Sequence, residues 1–216
     1  MDLATLRSRV YSELSEEENR YFKDEDIEYW FNVGQKEIAT TVKHLKDRTS
    51  TTTETNKKEY QLPDDYLDHY KVLYGDEKLH EVPDSADNPQ DSGDYGYYIW
   101  NETIFLNFFP DGSELTIFYY RIPEEMIDDV DTPEVEVEYQ DGLIQFVLMK
   151  AKQKDEKYNQ AQIHQQNYRQ TVNKMIKRYS KEPIEKESGI RLHEGNGTAE
   201  TLVLADVFEV ILGVIQ

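Results

Sequence analysis

A single amphipathic stretch, residues 140–179, constrains the fold of this chain more than any other feature. Its apolar residues recur mostly at steps of three, four or seven, which places them on one face of an α-helix. An unbroken helix over this stretch would be about 60 Å long at roughly 1.5 Å per residue. Asp141 is a suitable N-cap, and Pro183 sets the latest residue at which the helix can end. We therefore predict one long helix whose apolar face carries Leu143, Ile144, Val147, Ala151, Tyr158, Ala161, Tyr168, Val172, Met175, Ile176 and Tyr179.

Two further helices are predicted near the N-terminus from the same periodicity. The first has apolar residues at helical spacing between positions 3 and 14, with Asp2 as its candidate N-cap. The second begins at Asp24 or Asp26 and continues to about residue 45. Gly34 lies inside it, and because glycine costs a helix about 1 kcal/mol relative to alanine, we expect another backbone to approach closely there.

The chain between about residues 48 and 121 has the character of β-structure, with β-branched and aromatic residues separated by turn sequences. Residues 49–53 and 58–62 are predicted to pair as a hairpin across the turn at residues 56–57. Ile104, Leu106 and Phe108 alternate with Thr103, Phe105 and Asn107, which is consistent with one packed face. The other predicted strands are residues 70–74, 78–82, 97–100, 103–108 and 114–121.

These elements predict an α+β fold. Two N-terminal helices, residues 1–47, and the long C-terminal helix, residues 139–182, form a helical core. An antiparallel β block is inserted between them and ends in an acidic loop; the insertion as a whole spans residues 48–138. Residues 183–216 form an extended C-terminal tail that comprises a flexible linker and an apolar end.

Charge is distributed unevenly along the chain. The net charge is −20, which argues against a general affinity for nucleic acid or anionic membranes. Residues 123–138 contain eight carboxylates and no base, whereas the long helix has a basic face. That face is either solvated and balanced by the acidic loop of the same or a neighbouring chain, or it contacts DNA or an acidic partner. Its residues are Lys150, Lys154, Lys157, Lys174, Lys177, Arg178 and Lys181.

The strongly apolar run in the sequence is residues 202–216. It is shorter than the roughly 20 residues that span a bilayer, and the N-terminus has no apolar signal segment, so we expect a soluble intracellular product without a membrane partner. Exposed apolar surface usually marks an interface, which makes this run a candidate docking segment, formed either as a helix or as a strand. Its apolar residues are Leu202, Val203, Leu204, Val207, Phe208, Val210, Ile211, Leu212, Val214 and Ile215.

Catalytic signatures are absent from the sequence. It contains no phosphate-binding glycine loop, no nucleophile elbow and no zinc-protease motif, and its five histidines are scattered. It also contains no cysteine. We therefore predict no enzymatic activity, no cofactor and no metal site. The alternative is a carbohydrate-binding or glycoside-hydrolysing module, in which the aromatics of the β block would form the working surface and paired carboxylates the site.

The order of the parts resembles the head-to-tail connector, or adaptor, proteins of tailed bacteriophages. After two helices comes a Y-x-L-P-D-D motif, then an F-F-P-D-G turn at residues 108–112, a Y-Y-R-I-P segment at residues 119–123, an acidic loop and a long helix. The resemblance covers roughly residues 3–180. The first motif forms a corner in which proline stops a strand, and we expect structure from it and no chemistry. Its residues are Tyr60, Leu62, Pro63, Asp64 and Asp65.

The resemblance implies a structural virion protein without catalysis. Such a protein forms a ring with itself, usually of twelve copies, beneath the capsid portal and lines the passage for DNA, which it does not bind sequence-specifically. Its partners would be the portal protein, reached by the C-terminal segment, and downstream tail or neck proteins. It would be made in the host cytoplasm and located in the virion neck. A different ring component, such as a tail stopper, is the weaker alternative within the same class.

Overall fold

The computed structural model describes residues 1–14, 21–83 and 95–180. The described residues belong to one compact unit, Met1–Glu182, and combine helices with sheets, which confirms the predicted α+β class. The helices are α1 (Leu3–Leu14), α2 (Asp24–Val42), α3 (Gln140–Lys154) and α4 (Tyr158–Tyr179), with a short 3-10 turn at Val137–Tyr139 before α3. No helix among these residues is long and apolar enough to cross a membrane.

The prediction of one unbroken helix over residues 140–179 was wrong. The chain leaves the helical path after Lys154, and Glu156 adopts a left-handed φ of 57°. The Lys157 N–H donates to the Lys152 carbonyl at 2.9 Å and the Glu156 N–H to the Gln153 carbonyl at 3.1 Å. This pair of bonds is a Schellman motif, which ends a helix by satisfying its last carbonyls.

Helix α4 therefore folds back antiparallel to α3. The rings of Phe146 and Tyr168 lie 5.2 Å apart, and His164 Nδ1 is 2.9 Å from Gln145 Oε1. The apolar stripes of the two halves are thereby buried against each other, whereas a straight helix would expose much of the second half. Tyr158, which the prediction placed on the apolar face, is 63% exposed beside the turn.

Helices α1 and α2 pack on α3 to complete a helical core. Asp2 caps α1 as predicted, because its carboxylate accepts a hydrogen bond from the Thr5 N–H at 2.8 Å. Gly34 does mark a close approach, but a Cβ at this position would meet side chains of α3, 2.8 Å from Phe146 Cδ1 and 3.3 Å from Leu143 Cδ2. The neighbour that requires glycine is thus an aromatic ring and not a backbone.

Eight strands form two four-stranded sheets in the described residues. The first sheet has the order β1-β8-β3-β4, and every neighbouring pair in it is antiparallel. The second has the order β2-β7-β6-β5, in which β5 and β6 are parallel. The strands are β1 (Lys46–Thr52), β2 (Glu59–Gln61), β3 (Tyr66–Tyr74), β4 (Glu77–Lys78), β5 (His80–Glu81), β6 (Gly96–Trp100), β7 (Thr103–Leu106) and β8 (Glu114–Arg121).

The predicted hairpin between residues 49–53 and 58–62 does not form. Strand β1 pairs along its whole length with β8, from Lys46 opposite Tyr120 to Thr52 opposite Glu114, whereas β2 joins β7 in the other sheet. The predicted strand at 78–82 is likewise split between β4 and β5, because Leu79 turns into the core between them. The turn sequences in this region therefore include corners, at which the chain passes from one sheet to the other, as well as hairpin turns.

The second sheet contains the hairpin β6–β7, which matches the predicted strands and turn. Asn101 and Glu102 both have positive φ, as the tight turn between twisted strands requires. Ile104, Leu106 and Phe108 are buried as predicted and meet residues of the first sheet in a separate β core. Asn107 is also buried, which the alternation did not predict, and its side-chain oxygen accepts a hydrogen bond from Gly96 N–H at 2.8 Å.

The left-handed residue at the α3–α4 turn yields the first prediction. Glu156→Gly removes the Cβ that disfavours this φ. The glycine variant should therefore have a free energy of unfolding about 1 kcal/mol higher than Glu156→Ala, although glycine makes the unfolded chain more flexible. The measurement is urea unfolding of both variants. Glu156→Ala is the matched control, because it deletes the same charge and keeps the unfavourable Cβ. Equal stability of the two variants would contradict the helical-hairpin turn.

Candidate interaction surfaces

Arg121 and Glu134 connect the helical core to the β block. The guanidinium of Arg121, at the end of β8, contacts both carboxylate oxygens of Glu134, with Nη1 to Oε1 at 2.8 Å. The same Oε1 accepts the Glu124 N–H at 2.8 Å. Only 21% of the Arg121 side chain and 26% of that of Glu134 are exposed, so water screens the pair weakly. Hydrogen bonding by Arg121 lowers the pKa of Glu134 despite its partial burial.

His44 lies on the other side of Glu134. Its Nε2 is 3.0 Å from the Glu134 carbonyl, and its ring is 5.6 Å from that of Tyr179. Burial lowers the pKa of His44, because the surroundings disfavour the charged imidazolium. Glu134 is thus bonded both to His44, which follows α2, and to Arg121 at the end of β8. Tyr179 of α4 lies beside His44.

The acidic loop of residues 123–138, hereafter the acidic strap, lies across the helical core. Two backbone N–H groups at the start of α1 donate to it, Leu3 to the Asp131 carbonyl at 2.8 Å and Ala4 to that of Asp129 at 3.1 Å. The side-chain amide of Asn32 bonds both backbone groups of Met126, at 2.9 and 3.0 Å. Satisfying otherwise unpaired helix N–H groups gives the strap a defined path.

Basic side chains of the same chain neutralise part of the strap. Arg7 pairs with Asp129, Arg121 with Glu134, and Arg178 with Glu136 and Glu138. For Arg178, the structure therefore supports the expected balance with the acidic loop of the same chain. The carboxylates of Glu124, Glu125 and Asp128 are exposed and have no cation partner among the residues that the structure describes.

The strap also exposes aliphatic side chains. Ile127 is 76% exposed and Val130 is 78% exposed, whereas Met126 between the acids is buried in the helical core. Residues 124–130 therefore present carboxylates and aliphatic groups together on a supported backbone. The sequence showed the acids, but only the backbone path shows which apolar residues face outward.

The outer face of the first sheet carries a basic and aromatic surface that the sequence analysis missed. Its aromatic rings are Tyr70, Phe118 and Tyr120, with Tyr70 at 5.1 Å from Tyr120 and 6.1 Å from Phe118. Lysine ammonium groups lie over each ring at 5.6–6.0 Å, which is cation–π geometry. The bases of this surface are Lys43, Lys46, Arg48 and Lys71.

The predicted basic face of the long helix is divided by the hairpin. Lys150, Lys154 and Lys157 lie near the turn, whereas Lys174, Lys177 and Arg178 lie near the far end of α4, roughly 25 Å away at about 1.5 Å per residue. Lys154 pairs with Asp26 at 3.0 Å and Lys157 with Asp155 at 2.5 Å. Lys174 and Lys177 are exposed without an ion pair to the described residues, and Lys181 lies outside those residues.

The Y-x-L-P-D-D motif forms the predicted corner. Tyr60 and Leu62 are buried, and the Tyr66 N–H donates to the Pro63 carbonyl at 3.0 Å to close a turn. The side-chain contact at the corner comes from Asp65, which accepts a hydrogen bond from the Tyr119 hydroxyl at 3.0 Å, while Asp64 is exposed. The motif therefore joins the two sheets.

The F-F-P-D-G turn is a second corner, held by Asp111. Its carboxylate accepts hydrogen bonds from the Tyr74 hydroxyl and from both the N–H and the hydroxyl of Ser113. These bonds lower the pKa of Asp111 to about 2. The acid is thus committed to shaping a turn, and no group of three or more potential metal ligands occurs in the described part of the chain.

The comparison with protein families decides the class of this protein. The family described as SU10 adaptor protein matches residues 1–187, most of the chain. The chain belongs to the SU10 adaptor family. This confirms the suspected resemblance to the phage head-tail adaptors, and the family implies a structural, non-enzymatic role in the virion. No curated protein matches the chain.

The family match leaves the predicted docking run untested. All ten of its apolar residues, from Leu202 to Ile215, lie outside the described residues. Membership of the family likewise gives no support to the carbohydrate-module alternative.

The Arg121–Glu134 contact yields the second prediction. Glu134→Gln keeps the shape of the side chain but removes the charge, so it should lower the free energy of unfolding by about 1–3 kcal/mol at neutral pH. The folded-state pKa of Glu134 is lowered, so its contribution is complete above the ordinary value of 4.5 and is lost as the pH falls through the folded-state pKa. Urea unfolding at several pH values should show the difference from wild type shrinking in acid.

Glu138→Gln is the matched control for this measurement, since Glu138 belongs to the same strap and its side chain is 55% exposed. Its ion pair with Arg178 should contribute about 1 kcal/mol or less. Equal effects of the two substitutions, or a difference for Glu134→Gln that grows in acid, would contradict the role of Glu134 as the connecting residue.

Proposed function

We propose that this adaptor forms a ring that joins the capsid portal to the tail and surrounds the passage for DNA. The observation that carries the proposal is the family match over residues 1–187. The ring would comprise twelve copies, as the resemblance to connector proteins implies. It would be located in the virion neck, after synthesis in the host cytoplasm, with the portal protein on one side and tail or neck proteins on the other.

The charge of the chain suits a DNA passage. A net charge of −20 makes the surface of a ring repel phosphates on average, so DNA can pass without being held sequence-specifically. Lys174 and Lys177 are exposed exceptions near the end of α4. They are candidates for contacts with a neighbouring copy or with the passing DNA, together with Lys150, Lys154, Lys157, Arg178 and Lys181.

The C-terminal segment is proposed to dock on the portal. It follows α4 in the chain, after the glycine-containing linker, and its last fifteen residues are mostly apolar. A run of this kind gains free energy when a partner covers it, by about 25 cal/mol for each Å² of apolar surface removed from water.

The third prediction concerns this segment. Deletion of residues 202–216 should abolish attachment of the adaptor to portal-bearing particles, as measured by co-sedimentation. We expect thermal unfolding of the truncated chain to be unchanged, because the core residues that the structure describes all precede this segment. Normal attachment of the truncated chain would contradict the docking role.

A matched control tests whether the apolar character is responsible. Asp206→Asn with Glu209→Gln alters the same segment but keeps every apolar residue, so this variant should still attach. Electron micrographs of the wild-type complex with the portal should show a twelve-fold ring. A single copy bound to the portal would contradict the ring.

A further inference from the structure

The outer face of the first sheet is open to solvent in the described structure, although it carries large aromatic rings. The opposite face is buried: Leu115, Ile117 and Tyr119 of β8 point into the β core. On the outer face, Phe118 and Tyr120 alternate with them and are only partly covered. Sheet faces with one buried and one solvated side usually alternate between apolar and polar residues. Here the outer side of β8 also carries two aromatic residues, a residue type that is enriched at interfaces.

The charges on this face set the chemistry of its partner. Lys46 and Arg48 stand opposite Tyr120 and Phe118, and Lys71 also stands opposite Phe118. Three acids share the face: Asp68, with which Lys43 pairs at 2.5 Å, and Glu114 and Asp76, which lie beside Arg48. The four bases outnumber these acids, so the face carries a small positive excess within a chain of net charge −20. A partner that fits it offers carboxylates for the bases and aliphatic groups for the rings.

The acidic strap of the same chain has these two properties. Glu124, Glu125 and Asp128 are exposed and lack a cation partner among the described residues, and Ile127 and Val130 are more than three-quarters exposed. Hydrogen bonds to α1 and α2 hold the strap on the helical core of its own copy. A strap from one copy can reach the sheet face of another.

We propose that the outer face of the first sheet, formed by Arg48, Lys71, Tyr70, Phe118 and Tyr120, binds residues 124–130 of a second copy of this chain. The contact rests on the proposed ring and assigns the surfaces that build it. Because the two surfaces differ, the contact is head-to-tail, and a repeated head-to-tail contact closes into a ring when its rotation permits. Complementary charge selects the partner, and the aromatic–aliphatic contact contributes burial.

Charge reversal in two different copies tests this contact. The face variant is Arg48→Glu with Lys71→Glu, and the strap variant is Glu124→Lys with Glu125→Lys. Each alone should self-associate at least about tenfold more weakly than wild type in analytical ultracentrifugation, because like charges then oppose each other. Mixed in equal amounts, the two variants should assemble again: each normal face then meets a normal strap, and each reversed face meets a reversed strap.

The matched control is Lys152→Glu with Arg169→Glu. It replaces one lysine and one arginine, as the face variant does, on the α3–α4 hairpin, which belongs to neither surface. It should assemble like wild type. A control as weak as the face variant would overturn the contact, since net charge would then be the cause. Failure of the mixture to assemble, while each variant remains folded by circular dichroism, would also overturn it.

Two further outcomes distinguish this contact from a DNA-binding face and from a ring built through different surfaces. If wild type binds a short DNA duplex through the face, so that the face variant loses DNA binding but keeps self-association, the face serves nucleic acid and the contact is overturned. If wild type forms rings on purified portal and both variants do so equally well, the contact is wrong and the proposed function stands. A wild-type chain that stays single even with portal overturns both.

Discussion

The burial of α3 between α1, α2 and α4 is the contact on which the other parts of this adaptor depend. Nearly every residue from Leu143 to Ala151 is buried, so α3 has no broad solvent face and cannot be stable alone. The close packing at Gly34 brings α2 against the ring of Phe146, and Tyr168 of α4 packs on the same ring. Helices from both ends of the chain therefore enclose α3, and the β block is an insertion between them.

The acidic strap connects the helical core to the β block. It begins directly after β8, crosses the N-terminus of α1 and ends at the start of α3. Arg121 pairs with Glu134 of the strap, His44 contacts the Glu134 carbonyl, and Tyr179 lies beside His44. Because its path is set by hydrogen bonds to the helical core, the strap can present acids and aliphatic residues outward with little regular secondary structure of its own. That property makes it suited to bind another molecule.

The functional assignment and the chemistry of the surfaces agree. A structural adaptor needs several faces for different neighbours, and this chain has a basic aromatic sheet face, an acidic strap and an apolar C-terminal run. The net charge of −20 is a sum over the whole chain, so it does not reveal that the sheet face is basic and the strap acidic. Two acids of the β block, Asp65 and Asp111, serve as hydrogen-bond acceptors at its corners.

The sequence by itself determined most of the helical and strand segments, the Asp2 cap and the buried alternation of β7, because periodicity and local hydrogen bonding depend on near neighbours. The order of its motifs also resembled that of the adaptor family, which the family match then confirmed. Only the tertiary structure decided which strands pair and where the C-terminal stretch turns back. The turn at Glu156 has no glycine to announce it, and β1 finds its partner more than sixty residues away in β8. Those choices depend on which apolar faces can be buried together. The outer face of the first sheet also follows from the strand pairing, because its bases and rings come from separate segments of the chain.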